Sequence, residues 1–399
     1  MKLNGSFTKA MLMLFCLSAG LSAMAAEKNF QSNTNEAKES VLGAITTNRE
    51  KDILPHVNNL NWFGDFRYRY EDAYQEAKAT SSLTLNRIRV RLGAKAQPID
   101  ELQYELRLAS GAGRTSTTQT LGANSSAGDN YNFLLDRAYL TWSRWKGVKI
   151  QAGKMANPFF QAGEADLIFD TDLNFDGLSG RFEKDRWFVQ ASSFQIDRTN
   201  GHNTSPDQDV KMNSLSAGFK STSESSAQWT VGVATHHLPG INTHQQIGTA
   251  AGNSTVTVGA NNYYTKNYHP LVVDADCNLF LKGNVLVVYA EYAKNDAEGD
   301  DNQAYLIGAK LGKLKEKGTW SVAADYRELQ KDSTLAAWTD ADVLGGGTNG
   351  RAIRLIGAYA IEKDFSFSVM AIDGTYGIAS SDATSVKRGK ATASLDLKF

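Results

Sequence analysis

From Leu60 to the C-terminus, apolar and polar side chains alternate in short runs. In Asn86–Ala96 the apolar set is Ile88, Val90, Leu92, Ala94 and Ala96, and the set between them is Arg87, Arg89, Arg91, Gly93 and Lys95. A period of two places these sets on opposite faces of a strand. The same alternation recurs at Leu60–Tyr70, Leu102–Leu108, Ala138–Trp142, Val148–Ala152, Trp187–Ala191, Leu215–Phe219, Trp229–Val233 and Leu271–Ala275. It continues at Leu286–Tyr292, Tyr305–Leu311, Trp320–Tyr326, Ile353–Tyr359, Phe365–Val369 and Ala391–Phe399. With a weaker run at Asn174–Glu183, the pattern predicts about 16 strands. An even number suits a closed single-chain bacterial barrel.

The connections alternate in length. Gln97–Glu101, Arg144–Gly147, Lys184-Asp185, Leu281–Gly283, Lys313–Gly318 and Ile361–Asp364 are short. Between them lie long polar loops at 72–82, 111–131, 156–173, 197–211, 238–267, 329–350 and 376–386. Tight turns at one end and long loops at the other are the mark of a membrane-spanning barrel.

The arginines decide which face is which. Three guanidiniums inside a dry sandwich would each need a buried counter-charge. A barrel of about 16 strands encloses water that Ile and Val cannot fill. The pattern therefore predicts an all-β, closed antiparallel transmembrane barrel with apolar residues toward lipid and charged residues toward a lumen. Closure pairs every strand edge, as hydrocarbon requires. Aromatics near strand ends, among them Trp62, Trp142, Trp187, Trp229 and Trp320, suit the two membrane interfaces.

On this reading Arg67, Arg69, Arg87, Arg89, Arg91, Arg107 and Arg137 line the pore, densest on the first four strands. Acids such as Asp65, Glu71, Glu105, Asp274, Asp276, Glu291 and Asp325 share the wall. The long segment Lys154–Gly177 carries Glu164, Asp166, Asp170, Asp172 and Asp176 against one base, Lys154. Folded inward, its acids Glu164, Asp166, Asp170 and Asp172 would oppose the arginines across a narrow waist and set a transverse field.

Ahead of the barrel, Lys2 and Lys9, the apolar Ala10–Leu21 and the A-x-A site Ala23-Met24-Ala25 read as a signal peptide over residues 1–25. Residues 26–59 read as a periplasmic leader with a short amphipathic helix within Glu36–Ile53, and residues 60–399 as the barrel. Lys and Arg total 42 and Asp and Glu 43 in the full chain, so no global basic field invites nucleic acid. Once the signal is removed, Cys277 is the one cysteine left, and no internal disulfide can form.

FGDFRYRYE (Phe63–Glu71), LNRIRVRLG (Leu85–Gly93), DRAYLTW (Asp136–Trp142) and QAGKMANPF (Gln151–Phe159) resemble the proteobacterial "putative porin" family over roughly residues 60–399. The GK…PF segment is also similar to the phosphate-selective porins. The resemblance implies passive diffusion of small hydrophilic solutes and ions, often through a homotrimer, in the outer membrane among lipid and lipopolysaccharide. It implies that Phe399 is the aromatic terminus read by the barrel-assembly machinery. It also implies that loop 156–173 folds inward against Arg67, Arg87, Arg89 and Arg91. The loop lacks the Pro-Glu-Phe-Gly-Gly tip of enterobacterial general porins, and the leader is longer than theirs.

Enzyme signatures are absent: there is no G-x-S-x-G elbow and no P-loop. His236, His237 and His244 cluster near one loop, and Asn295–Asn302 is acidic, but neither has a metal-site spacing. No cofactor is expected. The expected function is a weakly anion-preferring diffusion channel. The alternatives are a phosphate- or anion-specific channel of the same fold, and a barrel enzyme or adhesin; a barrel enzyme would need a Ser/His pair on adjacent strands at the lipid face, and His236 is the strand-borne histidine expected.

Overall fold

The computed structural model describes residues 60–76, 83–111, 115–122, 130–163, 165–197, 209–221, 227–248, 251–343, 345–382 and 384–399. The signal segment, the leader with its expected helix and Glu164 lie outside these residues. In chain order the strands are β1 (Asn61–Gln75), β2 (Leu83–Ile99), β3 (Leu102–Ser110), β4 (Gln119–Thr120), β5 (Phe133–Trp142), β6 (Val148–Ala156), β7 (Asn174–Lys184), β8 (Trp187–Asp197), β9 (Val210–Lys220) and β10 (Ala227–His237). They continue as β11 (Thr255–Val258), β12 (Asn261–Tyr264), β13 (Pro270–Leu281), β14 (Asn284–Asn295), β15 (Gln303–Gly312), β16 (Trp320–Leu329), β17 (Gly350–Glu362), β18 (Phe365–Tyr376) and β19 (Val386–Lys398).

One 17-stranded antiparallel sheet holds all but the hairpin β11–β12. Its strand β4 is a two-residue piece of loop laid against Arg87 and Ile88. The other 16 strands form the wall, closed where β1 pairs with both β2 and β19. Short turns gather at one end: Asp185, Gly283 and Asp364 take φ of 54°, 82° and 65°, the left-handed conformation that tight hairpins need.

The wall is inside-out. On β9, Leu215 is 61% exposed while Ser214 and Ser216 beside it are buried. On β16, Val322 is 48% exposed while Asp325 and Arg327 are buried. Lipid therefore faces the oily set, and the polar set turns inward.

The interior differs from the expectation of a lumen watered all round. Three loops, 157–173, 238–269 and 330–349, contribute buried apolar residues beside the inner faces of β6–β10 and β13–β16. Phe159, Leu167, Ile168 and Phe169 of the first loop meet Phe175, Phe194, Met212 and Val272 of the wall. Ile241 and Ile247 join from the second loop, and Leu335, Ala337 and Trp338 from the third. Ring centroids lie 4.9 Å apart for Phe175–Phe194 and 5.5 Å for Phe169–Trp338. The wall residues alone could not reach across so wide a barrel; inserted loops bring the missing volume. Across from this packed side, β19, β1, β2 and β3 keep a charged inner face.

Candidate functional site

Carboxylates on the packed side of the wall hold the first loop by its backbone. Ala162 and Gly163 donate their N–H groups to Asp274 and Asp276, at 3.3 and 3.2 Å. Leu167 and Ile168 donate theirs to Glu291, at 3.1 and 3.4 Å. A buried loop carries amide groups that the sheet cannot satisfy, and inward acids supply the acceptors. Close packing adds to this: a Cβ on Gly232 would stand 2.8 Å from the ring of Phe160, and one on Gly308 2.5 Å from Tyr289. The two wall glycines leave room for those rings.

The first and third loops are clasped together. Asp170 donates its N–H to the Trp338 carbonyl at 2.7 Å, and its carboxylate accepts from the N–H of Ala341 at 2.9 Å. Asp166 is gripped by Arg327 at 2.8 Å and by Arg354 at 2.9 Å. The same two guanidiniums bind Asp325 at 2.9 and 2.7 Å, and Asp340 at 3.6 and 3.1 Å. Both arginines are buried, so this five-membered ion cluster is a rigid post between wall and loops.

The arginine ladder stands on β1 and β2 in register. Arg67 is opposite Arg89, and Arg69 is opposite Arg87. Like charges facing each other across a ladder repel, so each needs relief. Asp65 takes Arg89 at 2.8 Å and Arg91 at 2.6 Å. Glu71 takes Arg87 at 3.1 Å, and Asp342 takes Arg69 at 2.7 Å. On β3 and β5, Arg107 faces Arg137; a bulge beside Arg107 brings Asp136 onto it, while Glu105 takes Arg137 at 3.4 Å. Among the described residues Arg67 has no carboxylate within ion-pair distance. Its Nη2 donates to the Thr118 hydroxyl at 2.6 Å, and its Nε is buried without a partner.

The loop acids are therefore distributed otherwise than the sequence implied. Asp172 does reach the ladder, at 3.2 Å from Arg91. Asp166 goes instead to Arg327 and Arg354, and Asp170 to backbone amides. Asp340 and Asp342 of the third loop escaped the sequence reading. The run Trp338-Thr339-Asp340-Ala341-Asp342 before a glycine triplet was a usable signal: an aromatic anchor followed by two acids.

Between the ladder and the two loops lies a polar cavity of ≈ 200 Å³. Arg67, Arg89 and Arg354 line it together with Asp166, Asp170, Asp172, Asp340 and Asp342. Its acids do not titrate alike. Burial, reinforced by the Asp340 charge, pushes Asp170 up to about 8. Burial and the Asp166 charge push Asp340 up to about 7. Burial works the same way on Asp342, but Lys390 and Arg69 overcome it and hold the carboxyl well below the usual range. Arg327 and Arg354 likewise hold Asp166 low against its burial.

Other candidates resolve into structural parts. Ser214 and His236 do form a hydrogen-bonded pair on adjacent strands, 2.9 Å apart. The pair is buried, and the imidazole is wedged against Phe159 and Phe169 at 4.7 and 5.0 Å. It anchors the first loop. His237 is strand-borne as well, on β10. The acidic stretch Asn295–Asn302 is closed by its own amides, with Asn302 Nδ2 donating to the Asn295 carbonyl at 2.9 Å. Among the described residues no three potential ligands converge on a metal position. Phe399 is exposed, and its backbone exchanges two hydrogen bonds with Gly64, at 3.0 and 3.2 Å.

Comparison with known proteins agrees with this geometry. The chain is similar in fold to Pseudomonas putida OprB in its high-pH structure, at 11% identity and a TM-score of 0.59, covering 88% of this chain and 96% of that one. It is similar to Salmonella typhi OmpF, solved in complex with daunomycin, at 11% identity and a TM-score of 0.50, covering 86% and 98%. A loop-deletion mutant of Vibrio cholerae OmpT, an outer membrane protein, aligns at 12% identity and a TM-score of 0.50, covering 86% and 99%. No curated protein matches in sequence. The family described as "Putative porin" matches residues 26–271 and 237–373. An inside-out closed barrel with loops folded into it, matched over most of its length by that family, is an outer-membrane porin, and the chain belongs to the "Putative porin" family.

Proposed function

We propose that the protein passes small hydrophilic solutes and ions by passive diffusion, through an aperture confined to the charged side of the barrel. The observation that carries this is the polar cavity between the ladder of β1 and β2 and the clasped loops, with guanidiniums and carboxylates facing each other across it. Arg67, Arg69, Arg87, Arg89, Arg91, Arg107 and Arg137 supply the basic wall. Asp166, Asp170 and Asp172, joined by Asp340 and Asp342, supply the acidic rim. Opposed signs favour polar solutes over greasy ones, because water there is ordered by a transverse field.

Selectivity is weakly anionic near neutral pH. Most ladder charges are spent on neighbouring acids, which leaves Arg67 as the guanidinium best placed to meet a passing anion. Asp170, held up at about 8, is largely protonated below pH 7 and adds little opposing charge. Planar-bilayer recording tests this: ohmic steps with a small reversal potential of anionic sign are expected in a salt gradient, and strong cation selectivity at pH 7 would refute it. The Arg67 guanidinium, which no described carboxylate pairs, also favours a second reading, a channel specific for phosphate or a similar anion. Block of the current by micromolar phosphate would favour that reading over general diffusion.

A further inference from the structure

Eight charged side chains line the polar cavity between the ladder and the clasped loops, and six of them are matched at short range. Arg89 pairs with Asp65 at 2.8 Å, and Asp172 pairs with Arg91 at 3.2 Å. Asp342 is held by Arg69 at 2.7 Å and by Lys390 at 3.2 Å. Arg354 holds Asp166 at 2.9 Å and Asp340 at 3.1 Å. Two lining groups are left over. Among the described residues, neither Arg67 nor Asp170 has a partner of opposite charge within ion-pair distance.

The two belong to opposite walls. Arg67 stands on β1, where Arg89 lies opposite it in register and adds like charge. Its Nη2 donates to the Thr118 hydroxyl at 2.6 Å, which fixes the guanidinium without neutralising it. Asp170 belongs to the first loop. One of its carboxylate oxygens accepts the N–H of Asp172 at 2.7 Å, and the other accepts that of Ala341 at 2.9 Å. A carboxylate offers about four lone-pair sites, so each oxygen keeps room for another donor. Burial and the neighbouring charge of Asp340 push Asp170 up to about 8. A buried charge without a counter-charge is costly, and a cation brought beside Asp170 would relieve that cost.

The cavity therefore lacks one anion beside Arg67 and one cation beside Asp170. A simple anion drawn to Arg67 meets the acids across the cavity. A simple cation drawn to Asp170 meets Arg67 and Arg89. One molecule that carries both charges escapes both penalties. We propose that the cavity is a transient binding site for small zwitterions of the α-amino-acid class, with the carboxylate toward Arg67 and the ammonium toward Asp170. This rests on the diffusion reading above and names the solute class that such a channel favours. A cavity of ≈ 200 Å³ restricts the occupant to a small side chain. Charge-assisted hydrogen bonds at both ends orient the solute as it passes. Each pole is weak in a watered channel, so the site favours entry without trapping its occupant.

Swelling of proteoliposomes in glycine and in glycolamide, its uncharged isomer, tests this at pH 6 and pH 8. At pH 8 glycine should enter the faster by about threefold, the gain expected from weak ion pairs. The advantage should shrink at pH 6, where Asp170 keeps its proton. Arg67→Gln and Asp170→Asn should each abolish the preference, and combining them should do no more, because both poles hold one molecule. Arg67→Lys restores a cation and should retain most of it. The Arg67→Gln and Arg67→Lys pair decides the matter even if Asp170→Asn loosens the first loop. Heat-modifiable migration on gels and ohmic steps in potassium chloride certify that each variant is folded and open. Equal rates for glycine and glycolamide through a conducting wild-type channel would overturn the inference and leave the diffusion reading standing. A wild-type protein that neither conducts nor swells would overturn both. Block of the current by acetate as deep as by glycine would mark Arg67 as a plain anion site, and block by methylammonium alone would mark Asp170 as a plain cation site; either overturns the inference.

Discussion

The two halves of the barrel interior use the same residue types for opposite ends. On β13 and β14, Asp274, Asp276 and Glu291 accept backbone N–H groups from an inserted loop, and apolar side chains close over them. On β1 and β2, Asp65 and Glu71 accept from arginines beside a polar cavity. The difference lies in what each carboxylate faces. An inward acid beside Phe, Ile and Leu is an anchor, whereas an inward acid beside Arg is one pole of a field. Counting inward charges therefore overstates the charged surface available to a solute.

The largest effect should come from removing the packed half's keystone. Trp338→Ala leaves a cavity among Phe169, Phe175 and the loop backbone, and large aromatic truncations of this kind cost about 3–5 kcal/mol. Thermal melting in detergent should fall, and single-channel traces should grow noisy as the first loop loosens. Quiet traces at wild-type conductance would show that the packed half does not hold the aperture.

Deleting residues 164–172 removes the first loop's share of the acidic rim, Asp166, Asp170 and Asp172. Conductance should rise by roughly twofold or more, because the narrowest section sets the resistance. An unchanged conductance would place the constriction elsewhere.

The pH dependence is a finer test. Asp170 is held up at about 8, so raising the pH from 6 to 9 turns a neutral acid beside the cavity into a carboxylate. The aperture gains negative charge as pH rises, so anion preference should shrink and then reverse. Asp170→Asn should blunt the change, and a reversal potential flat from pH 6 to 9 would refute it.

The smallest effect distinguishes among the arginines. Arg67→Gln should move the reversal potential toward cation selectivity. Arg87→Gln should move it less, since Glu71 already neutralises Arg87 locally at 3.1 Å. Equal shifts would mean that ion pairing in the wall does not mute the field.

Much of this was readable in advance. Strand positions follow from alternation, because a strand has only two faces and one of them must meet lipid. β7 was the weakest run, since Gly177 and Gly180 interrupt its apolar series, yet it forms over Asn174–Lys184. The acidic character of loop 157–173 was also visible. Its partners were not, because Asp166 meets Arg327 and Arg354 more than 150 residues away in sequence. Asp340 and Asp342 were hidden for the same reason, since their partners Arg354 and Arg69 lie on other segments of the chain.

The sequence by itself determined the wall: which residues alternate, which face takes charge, how many strands close the ring, and where turns and loops fall. Local periodicity suffices for that, since each strand obeys the same rule independently. Only the tertiary structure decided the interior. Whether a loop enters the barrel, which acids it consumes and which side stays wet depend on contacts between segments far apart in the chain, and no local pattern encodes them.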